Sequence, residues 1–201
     1  IVLFALVSFF VLLEFISLSP TRHSDHRSLV LVFFVVLPLQ YLLVGLHMIG
    51  LFTVLIPVYV FLAVPAVSAM GNEPGNFLER NAKLQWGIMV CVYGMSYVPA
   101  LLLLEYPDFK GRSAFLVFFL VMVVQICMLV QHLVARRFPA RPIAPEICNT
   151  SGWKNWGAGL LCGTAAGGVL AVFTPLNFWQ GLGMAFIACV AGTLGHFVMK
   201  A

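Results

Sequence analysis

The side chains best suited to chemistry in this sequence are four basic residues in one polar stretch between two long apolar runs. They are Arg136, Arg137, Arg141 and Lys154. The planar guanidinium of arginine can hold two phosphate oxygens at once, so the cluster is a candidate site for a phosphate-bearing headgroup or a nucleotide. The alternative is a topology signal with a general attraction to anionic lipid, worth about 1 kcal/mol per basic residue.

Polar side chains inside the apolar runs form a second set of candidates. Gln125 and Gln131 lie in the fifth run, where their amides either bond to neighbouring helices or line a polar groove. Glu14 lies in the first run, where an ionisable group is costly and therefore a functional candidate. Glu14 could equally reach the membrane interface or pair with Arg22.

Carboxylates are scarce, and this bears on metal chemistry. The chain has seven Asp and Glu residues, and none follows Glu146. Proteins hold magnesium through carboxylates together with substrate phosphates. The five cysteines are scattered without the spacing of a zinc site. We therefore expect no metal site in this chain, and the residues alone identify no catalytic group.

The elements that must position these residues are membrane-spanning helices. The chain is 62% hydrophobic and 9% charged, whereas soluble domains carry about 25% charged residues. A helix needs about 20 apolar residues to cross the hydrocarbon, and seven runs approach that length. They cover residues 1–18, 29–49, 51–70, 84–104, 114–135, 157–173 and 181–199. The sequence predicts an all-α, polytopic transmembrane bundle of about seven helices and excludes a soluble protein.

The basic residues are distributed unevenly between the connecting segments. With seven crossings, nine of the 11 Lys and Arg residues fall on one side of the membrane. These nine are Arg22, Arg27, Arg80, Lys83, Arg136, Arg137, Arg141, Lys154 and Lys200. The positive-inside rule makes that side cytoplasmic and places the C-terminal end there. We expect an integral membrane protein with membrane lipid, and no nucleic acid, as a partner.

The sixth run begins GAGLLCGTAAGG, residues 157–168, with glycines four residues apart at Gly159, Gly163 and Gly167. Such a face lets helix backbones approach closely. It predicts tight packing within the bundle. The alternative is a dimer interface or a groove wall that admits a lipid tail.

Three prolines, Pro57, Pro65 and Pro99, interrupt the predicted helices. A proline has no N–H, so the carbonyl four residues earlier loses its partner. We expect neighbouring groups to satisfy these carbonyls, because unpaired backbone is costly in lipid. Broken helices also occur in transporters, but no inverted repeat accompanies them here, which disfavours a small-solute transporter.

Several stretches resemble the integral-membrane phosphatidate cytidylyltransferase family, and its bacterial branch in particular. They are LLEFISLSPTR (12–22), FFVVLPLQYLLV (33–44), LIPVYVF (55–61), FLERNAKLQWGIMVCVYGMSYVPALL (77–102), FLVMVVQ (119–125) and IAP (143–145), followed by the glycine-rich run. The resemblance implies an all-helical enzyme of the bacterial inner membrane, usually dimeric, that makes CDP-diacylglycerol from CTP and phosphatidic acid. It also implies Mg²⁺ and a second cation for CTP binding, and a polar cavity open to cytoplasm and lipid.

The chain departs from the family at the residues that would do the chemistry. Gln125 and Gln131 match two family glutamines, but Met128 stands where the family has Asp. In the loop that follows IAP, Ser151 replaces the family's Lys and Lys154 replaces its Glu. A divalent ion and CTP should therefore bind poorly, whereas a bare anionic headgroup could still bind.

Two further expectations come from the same alignment. Cys148 and Ser151 join Gln125 and Gln131 as the candidate polar groove. The family's final signature, with Lys-Arg, several Asp and His-Gly-Gly, should begin where residues 196–201 end. We therefore interpret residues 1–201 as a single, incomplete transmembrane domain.

Two functions of different classes follow. The first is a phosphatidate cytidylyltransferase family protein whose 201 residues are inactive as they stand, because metal and CTP ligands are replaced or missing. The second is a non-catalytic membrane protein that binds anionic lipid or a partner helix.

Overall fold

The computed structural model describes residues 1–18, 26–71, 75–103, 113–137, 142–144 and 148–200. Contacts group the chain into two compact units, Ile1–Leu103 and Leu104–Ala201, which we call unit 1 and unit 2. Each unit has its own buried core. This grouping does not decide between one domain and two, so a single domain over residues 1–201 stays a prediction.

Helices form at all seven predicted runs. Unit 1 contains α1 (Val2–Ser17), α2 (His26–Gly45), α3 (Ile49–Ala69) and α4 (Phe77–Leu102). Unit 2 contains α5 (Ala114–Arg137), α6 (Trp153–Leu170) and α7 (Phe178–Lys200). Within the described ranges, the six helices other than α1 are long and apolar enough to span a membrane. The 16 residues of α1 cover only about 24 Å at 1.5 Å per residue. The predicted helical transmembrane class is confirmed.

The helices of unit 1 alternate in direction. A Cβ atom added to Gly87, in the first half of α4, would lie 2.6 Å from the ring of Phe15, near the end of α1. A Cβ atom added to Gly45, the last residue of α2, would lie 3.6 Å from Ile1, just before α1. Helix α1 therefore runs antiparallel to α2 and to α4. Gln85 of α4 bonds to Phe61 of α3 and Tyr93 of α4 bonds to Thr53 of α3, so α3 runs antiparallel to α4.

Helix α4 begins earlier than its apolar run. It starts at Phe77, whereas the run starts at residue 84. Its first turns are polar, and Lys83 pairs with Glu79 one turn before it at 2.7 Å. Pairs of this spacing stabilise a helix without apolar residues, so hydrophobic periodicity marked only the apolar part of α4.

Helices α2, α3 and α4 each contain a wider π-helical stretch. The stretches are Val32–Val36, Leu55–Val60 and Ile88–Gly94. Such turns are rare and interrupt the regular i→i−4 hydrogen bonds of a helix. A side chain of another helix bonds to a carbonyl within one of these stretches. The Ser8 hydroxyl on α1 donates to Cys91 O in the π stretch of α4.

Polar side chains of α4 satisfy the carbonyls that two prolines free. Pro65 in α3 leaves Phe61 O without its N–H partner, and Gln85 Nε2 donates to this oxygen at 2.9 Å. The expectation that neighbours repair the proline breaks is confirmed at this position.

The second repair follows the same rule about two turns earlier in α3. Pro57 cannot donate the regular i→i−4 bond to Thr53 O, and the Tyr93 hydroxyl donates to this oxygen at 3.1 Å. The Tyr93 oxygen also lies 2.8 Å from the Tyr97 hydroxyl. These bonds join α3 to α4 beside the proline.

The three helices of unit 2 pack through the glycines of α6. A Cβ atom added to Gly163 would lie 2.5 Å from Cys189 Sγ on α7. One added to Gly167 would lie 2.1 Å from Cβ of Ala185, also on α7. At both positions a Cβ atom would force the neighbouring helix or side chain to shift. The small-residue face is therefore buried inside unit 2, which favours tight packing over a dimer interface or a lipid-lined groove wall.

Two short strands connect α5 and α6. They are β1 (Pro142–Ala144) and β2 (Cys148–Gly152), and they pair antiparallel with Pro142 opposite Gly152. Gly152 has an extended backbone and leads directly into the first residue of α6. The ribbon is a small addition to the helical fold that apolar patterning did not reveal.

Candidate functional site: the basic end of unit 2

The candidate site lies where α5 ends and α6 begins. Arg136 and Arg137 are the last two residues of α5, and Lys154 is the second residue of α6. We call these three residues the basic end. Arg141, the fourth member of the predicted cluster, lies outside the described residues. The structure thus brings three of the four predicted basic residues to one end of unit 2.

Contacts between helices hold this end together. A Cβ atom added to Gly159 would lie 2.3 Å from Cγ of Gln131, so α5 and α6 touch about one and a half turns from the basic end. Trp156 Nε1 donates to Thr193 Oγ1 at 3.0 Å, which ties the first turn of α6 to α7. The backbone of Lys200, the last residue of α7, lies at the same end because α7 runs antiparallel to α6.

The basic end is exposed and faces no described carboxylate in its own unit. The side chains of Arg136, Arg137 and Lys154 are all exposed. The described residues of unit 2 include no Asp or Glu. The start of α6 adds roughly half a positive charge, and no acidic residue in the first turn offsets it. The local potential attracts anions, over a range of about 8–10 Å at physiological salt.

The two glutamines of the predicted groove lie on different faces of α5. Gln131 is half-buried against Gly159, and its Nε2 donates to Cys127 Sγ at 3.4 Å. Gln125 is exposed, and six residues rotate a helix by about 600° in total, so Gln125 points away from Gln131. The two side chains therefore lie on different faces of α5, and their shared membership of a polar groove stays a prediction.

The other groove candidates lie in the connecting ribbon. Cys148 and Ser151 belong to β2, where the structure describes the backbone alone. Their membership of a polar groove stays a prediction. Met128, which stands at the family's Asp position, is half-buried on α5 between the two glutamines.

Glu14 lies three residues before the end of α1, and its side chain is exposed. A carboxylate so near the helix end can reach the membrane interface, which is the simpler of its two readings. Its other predicted partner, Arg22, lies outside the described residues.

Sequence reasoning missed Thr193. It is buried on α7 and accepts the Trp156 hydrogen bond across 37 residues of sequence. No spacing rule links the two positions, because the contact depends on how α6 and α7 pack. The available signal was a hydroxyl side chain in the middle of an otherwise apolar run.

The described residues do not fit a divalent metal ion. They contain no group of three or more His, Cys, Asp or Glu side chains that could hold one. Among the described side chains of unit 2, the buried sulfur atoms belong to Cys127 and Cys189, and thiolates suit zinc and copper rather than magnesium. The Mg²⁺ that the resemblance implies has no ligand set in the described part of the chain.

Comparison with known proteins gives two matches. The whole chain, residues 1–201, matches the Cytidylyltransferase family. It is also similar to the uncharacterized protein YnbB of Escherichia coli strain K12, with 28% identity over 199 residues. That alignment covers 98% of this chain and 64% of YnbB, so the chain spans just under two thirds of this relative. No solved structure matches the chain.

Proposed function

The chain belongs to the Cytidylyltransferase family. We propose that the protein takes part in the phosphatidate cytidylyltransferase reaction of phospholipid synthesis. In that reaction CTP and phosphatidic acid give CDP-diacylglycerol and diphosphate. The observation that carries the proposal is the family match over all 201 residues. The six apolar helices of spanning length in the described part of the chain support a substrate that is itself a membrane lipid. We further propose an inner-membrane location and a homodimer, which the family resemblance implies, and cytoplasmic basic loops, which the distribution of basic residues predicts.

The basic end is the proposed binding site for the phosphate of phosphatidic acid. A phosphate monoester carries between one and two negative charges near neutral pH and offers several acceptor oxygens. Arg136 and Arg137 supply paired guanidinium donors, and Lys154 supplies a compact third charge. Their exposure at one end of a bundle of apolar helices suits a headgroup that lies at the membrane surface.

The 201 residues are proposed to be inactive by themselves. Nucleotidyl transfer depends on positioning and on neutralising phosphate charge, for which the family uses Mg²⁺. Met128 and Lys154 replace two of the family's acidic residues, and none of the chain's acids follows Glu146. We expect purified chain, given CTP, Mg²⁺ and phosphatidic acid, to form no CDP-diacylglycerol above a no-protein control. Turnover above that control would refute this part of the proposal.

A matched pair of charge-removing variants tests the binding site. Native mass spectrometry would measure how much phosphatidic acid the purified chain retains, against phosphatidylcholine with the same acyl chains. We expect Arg136→Gln with Arg137→Gln to lower retention of phosphatidic acid about tenfold or more, since each charge contributes about 1 kcal/mol. Phosphatidylcholine retention should not change.

The control removes the same charge from unit 1. Arg27 and Lys83 are exposed and basic, and they are distant in sequence from the basic end. We expect Arg27→Gln with Lys83→Gln to leave retention unchanged. Equal losses in the two double variants would mean general attraction to anionic lipid and would refute a site at the basic end.

The second candidate function is a non-catalytic protein that binds anionic lipid. The absence of any Asp or Glu from the described part of unit 2, beside three exposed basic residues, favours it. Rescue of a strain depleted of its CDP-diacylglycerol synthase by the full-length protein distinguishes the two. Growth would support the enzyme, whereas failure to grow combined with phosphatidic acid retention would support the non-catalytic binder.

A further inference from the structure

Three helices of unit 1 meet at a buried amide, which fixes their relative heights. Gln40 Nε2, on α2, donates to Phe52 O on α3 at 3.2 Å and to Ser96 Oγ on α4 at 3.3 Å. Gln40 is fully buried. These three residues therefore lie at one level of the bundle, with α2 and α4 running in one direction and α3 in the other.

Counting from this level places the three π-helical stretches opposite one another. Val32–Val36 lies four to eight residues before Gln40 on α2, and residues 88–92 lie equally far before Ser96 on α4. On α3, residues 56–60 lie four to eight residues after Phe52. The stretches of α3 and α4 pack against each other. All three occupy one layer, about 6–12 Å from the Gln40 level at 1.5 Å per residue.

Hydrogen bonds join the helix segments beyond this layer. We call residues 37–54 and 95–102 the far half of unit 1. Within it, Gln40 connects α2 to α3 and α4, and Ser96 Oγ also donates to Tyr93 O at 2.7 Å. Tyr93, in the last turn of its π stretch, bonds to Thr53 O of α3. The far half is thus tied together as one body.

In this layer the backbone hydrogen bonding of all three helices departs from the α-helical pattern. Regular i→i−4 bonding is interrupted in all three helices there, and Pro57 removes a further donor. Helix α1 has no such stretch and passes the layer as a continuous α-helix. One acceptor in the far half, Gln40 Oε1, is buried without a hydrogen-bond partner. In the observed arrangement this oxygen is therefore still able to accept a hydrogen bond.

We propose that this layer is a hinge about which the far half of unit 1 moves as a body relative to α1. Hinges are short segments that absorb backbone rotation between parts that stay rigid, and three aligned π stretches meet that description. The motion would reshape the groove between α1 and α2, which has a volume of about 580 Å³. That groove is lined both by Phe33 and Phe34 in the layer and by Tyr41 and Gly45 in the far half.

Hydrogen–deuterium exchange of the full chain in one detergent, read by mass spectrometry, tests the hinge. We expect amides of the three π stretches to exchange at least about tenfold faster than those in the middle turns of α5, which has no internal proline or π stretch. Exchange no faster than in α5 would overturn the proposal.

Two proline variants in the same helix test whether the layer acts as one unit. Pro57 lies within the layer, and Pro57→Ala gives this position an N–H that can bond to Thr53 O. Pro65 lies outside the layer, and Pro65→Ala does the same for Phe61 O. We expect Pro57→Ala to slow exchange in all three π stretches, and Pro65→Ala to slow it only near position 65. A purely local effect of Pro57→Ala would mean three independent bulges and no hinge.

A second variant, expected to speed exchange rather than slow it, tests the hinge even if Pro57→Ala disturbs folding. Tyr93→Phe removes the bond to Thr53 O while keeping the ring. We expect faster exchange in all three π stretches. The matched change Gln85→Met, which removes the bond to Phe61 O, should speed exchange only around that carbonyl. Equal and local effects of the two variants would overturn the proposal.

Discussion

Gly167 marks the closest approach of α6 to α7. A Cβ atom there would lie 2.1 Å from Cβ of Ala185, which is fixed to its backbone and cannot swing aside. We expect Gly167→Ala to lower the free energy of unfolding by about 1–3 kcal/mol, less the roughly 1 kcal/mol that alanine gains over glycine in a helix. Thermal unfolding in detergent would show the loss as a lower midpoint.

Two companion variants separate crowding from helix propensity. Gly183 lies in α7, two residues before Ala185. It has nothing within 4 Å of an added Cβ, so Gly183→Ala should be neutral or stabilising. Removing the opposing methyl with Ala185→Gly should restore most of the stability of Gly167→Ala. Failure of that rescue would show that the two positions do not touch as described.

The sequence predicted such packing residues well, but it did not predict the buried polar ones. Glycines four residues apart predict a close helix contact wherever the partner helix lies. The role of Gly163 and Gly167 could therefore be predicted without knowing the fold. Gln40 and Thr193 matter through partners 56 and 37 residues away. Only the packing of the helices defines those partners, and no spacing in the sequence encodes it.

At the scale of an element, α3 depends on α4 where its own hydrogen bonds are interrupted. Gln85 Nε2 bonds to Phe61 O because Pro65 cannot. We expect Gln85→Met to destabilise the protein by about 0.6–1.7 kcal/mol, which are the average and the largest values measured for such bonds between membrane helices. In a Pro65→Ala background the backbone N–H takes over, and the same change should cost close to nothing.

The unfolding midpoints of the four proteins in this cycle give the coupling directly. The control is the equivalent amide change at Gln180, which bonds locally to the Asn177 N–H and should not couple to Pro65. An equal cost of Gln85→Met with and without Pro65 would show that the amide stabilises α4 by some other contact.

Apolar patterning predicted each helix but not its interior. The runs located all seven helices because lipid demands continuous hydrophobic length. They missed the polar start of α4, which is stabilised by local pairs, and the three π stretches, which depend on packing and on side chains from other helices. Apolar patterning also did not predict the ribbon of β1 and β2. Strands of three and five residues are too short to show a clear pattern.

At the scale of the molecule, the charge distribution makes a prediction about sidedness. The predicted seven crossings, with the positive-inside rule, would place Lys83 and Lys154 on the cytoplasmic side and Met48, between α2 and α3, on the outer side. We expect Met48→Cys to react with a membrane-impermeant maleimide in intact cells. Lys83→Cys and Lys154→Cys should react only after the cells are permeabilised. Cys148 is replaced by Ser throughout, because it lies in the loop that bears the basic residues.

The pattern of labelling separates the two assumptions behind this prediction. All three positions are exposed, so a missing signal would reflect sidedness rather than burial. Complete inversion would mean that the helix count is right and the positive-inside assignment is wrong. Labelling of Lys83→Cys and Lys154→Cys from opposite sides would mean that α4 and α5 do not both cross, because two crossings return the chain to the side from which it started. Only the predicted pattern puts the basic end in reach of cytoplasmic CTP, on which the proposed reaction depends.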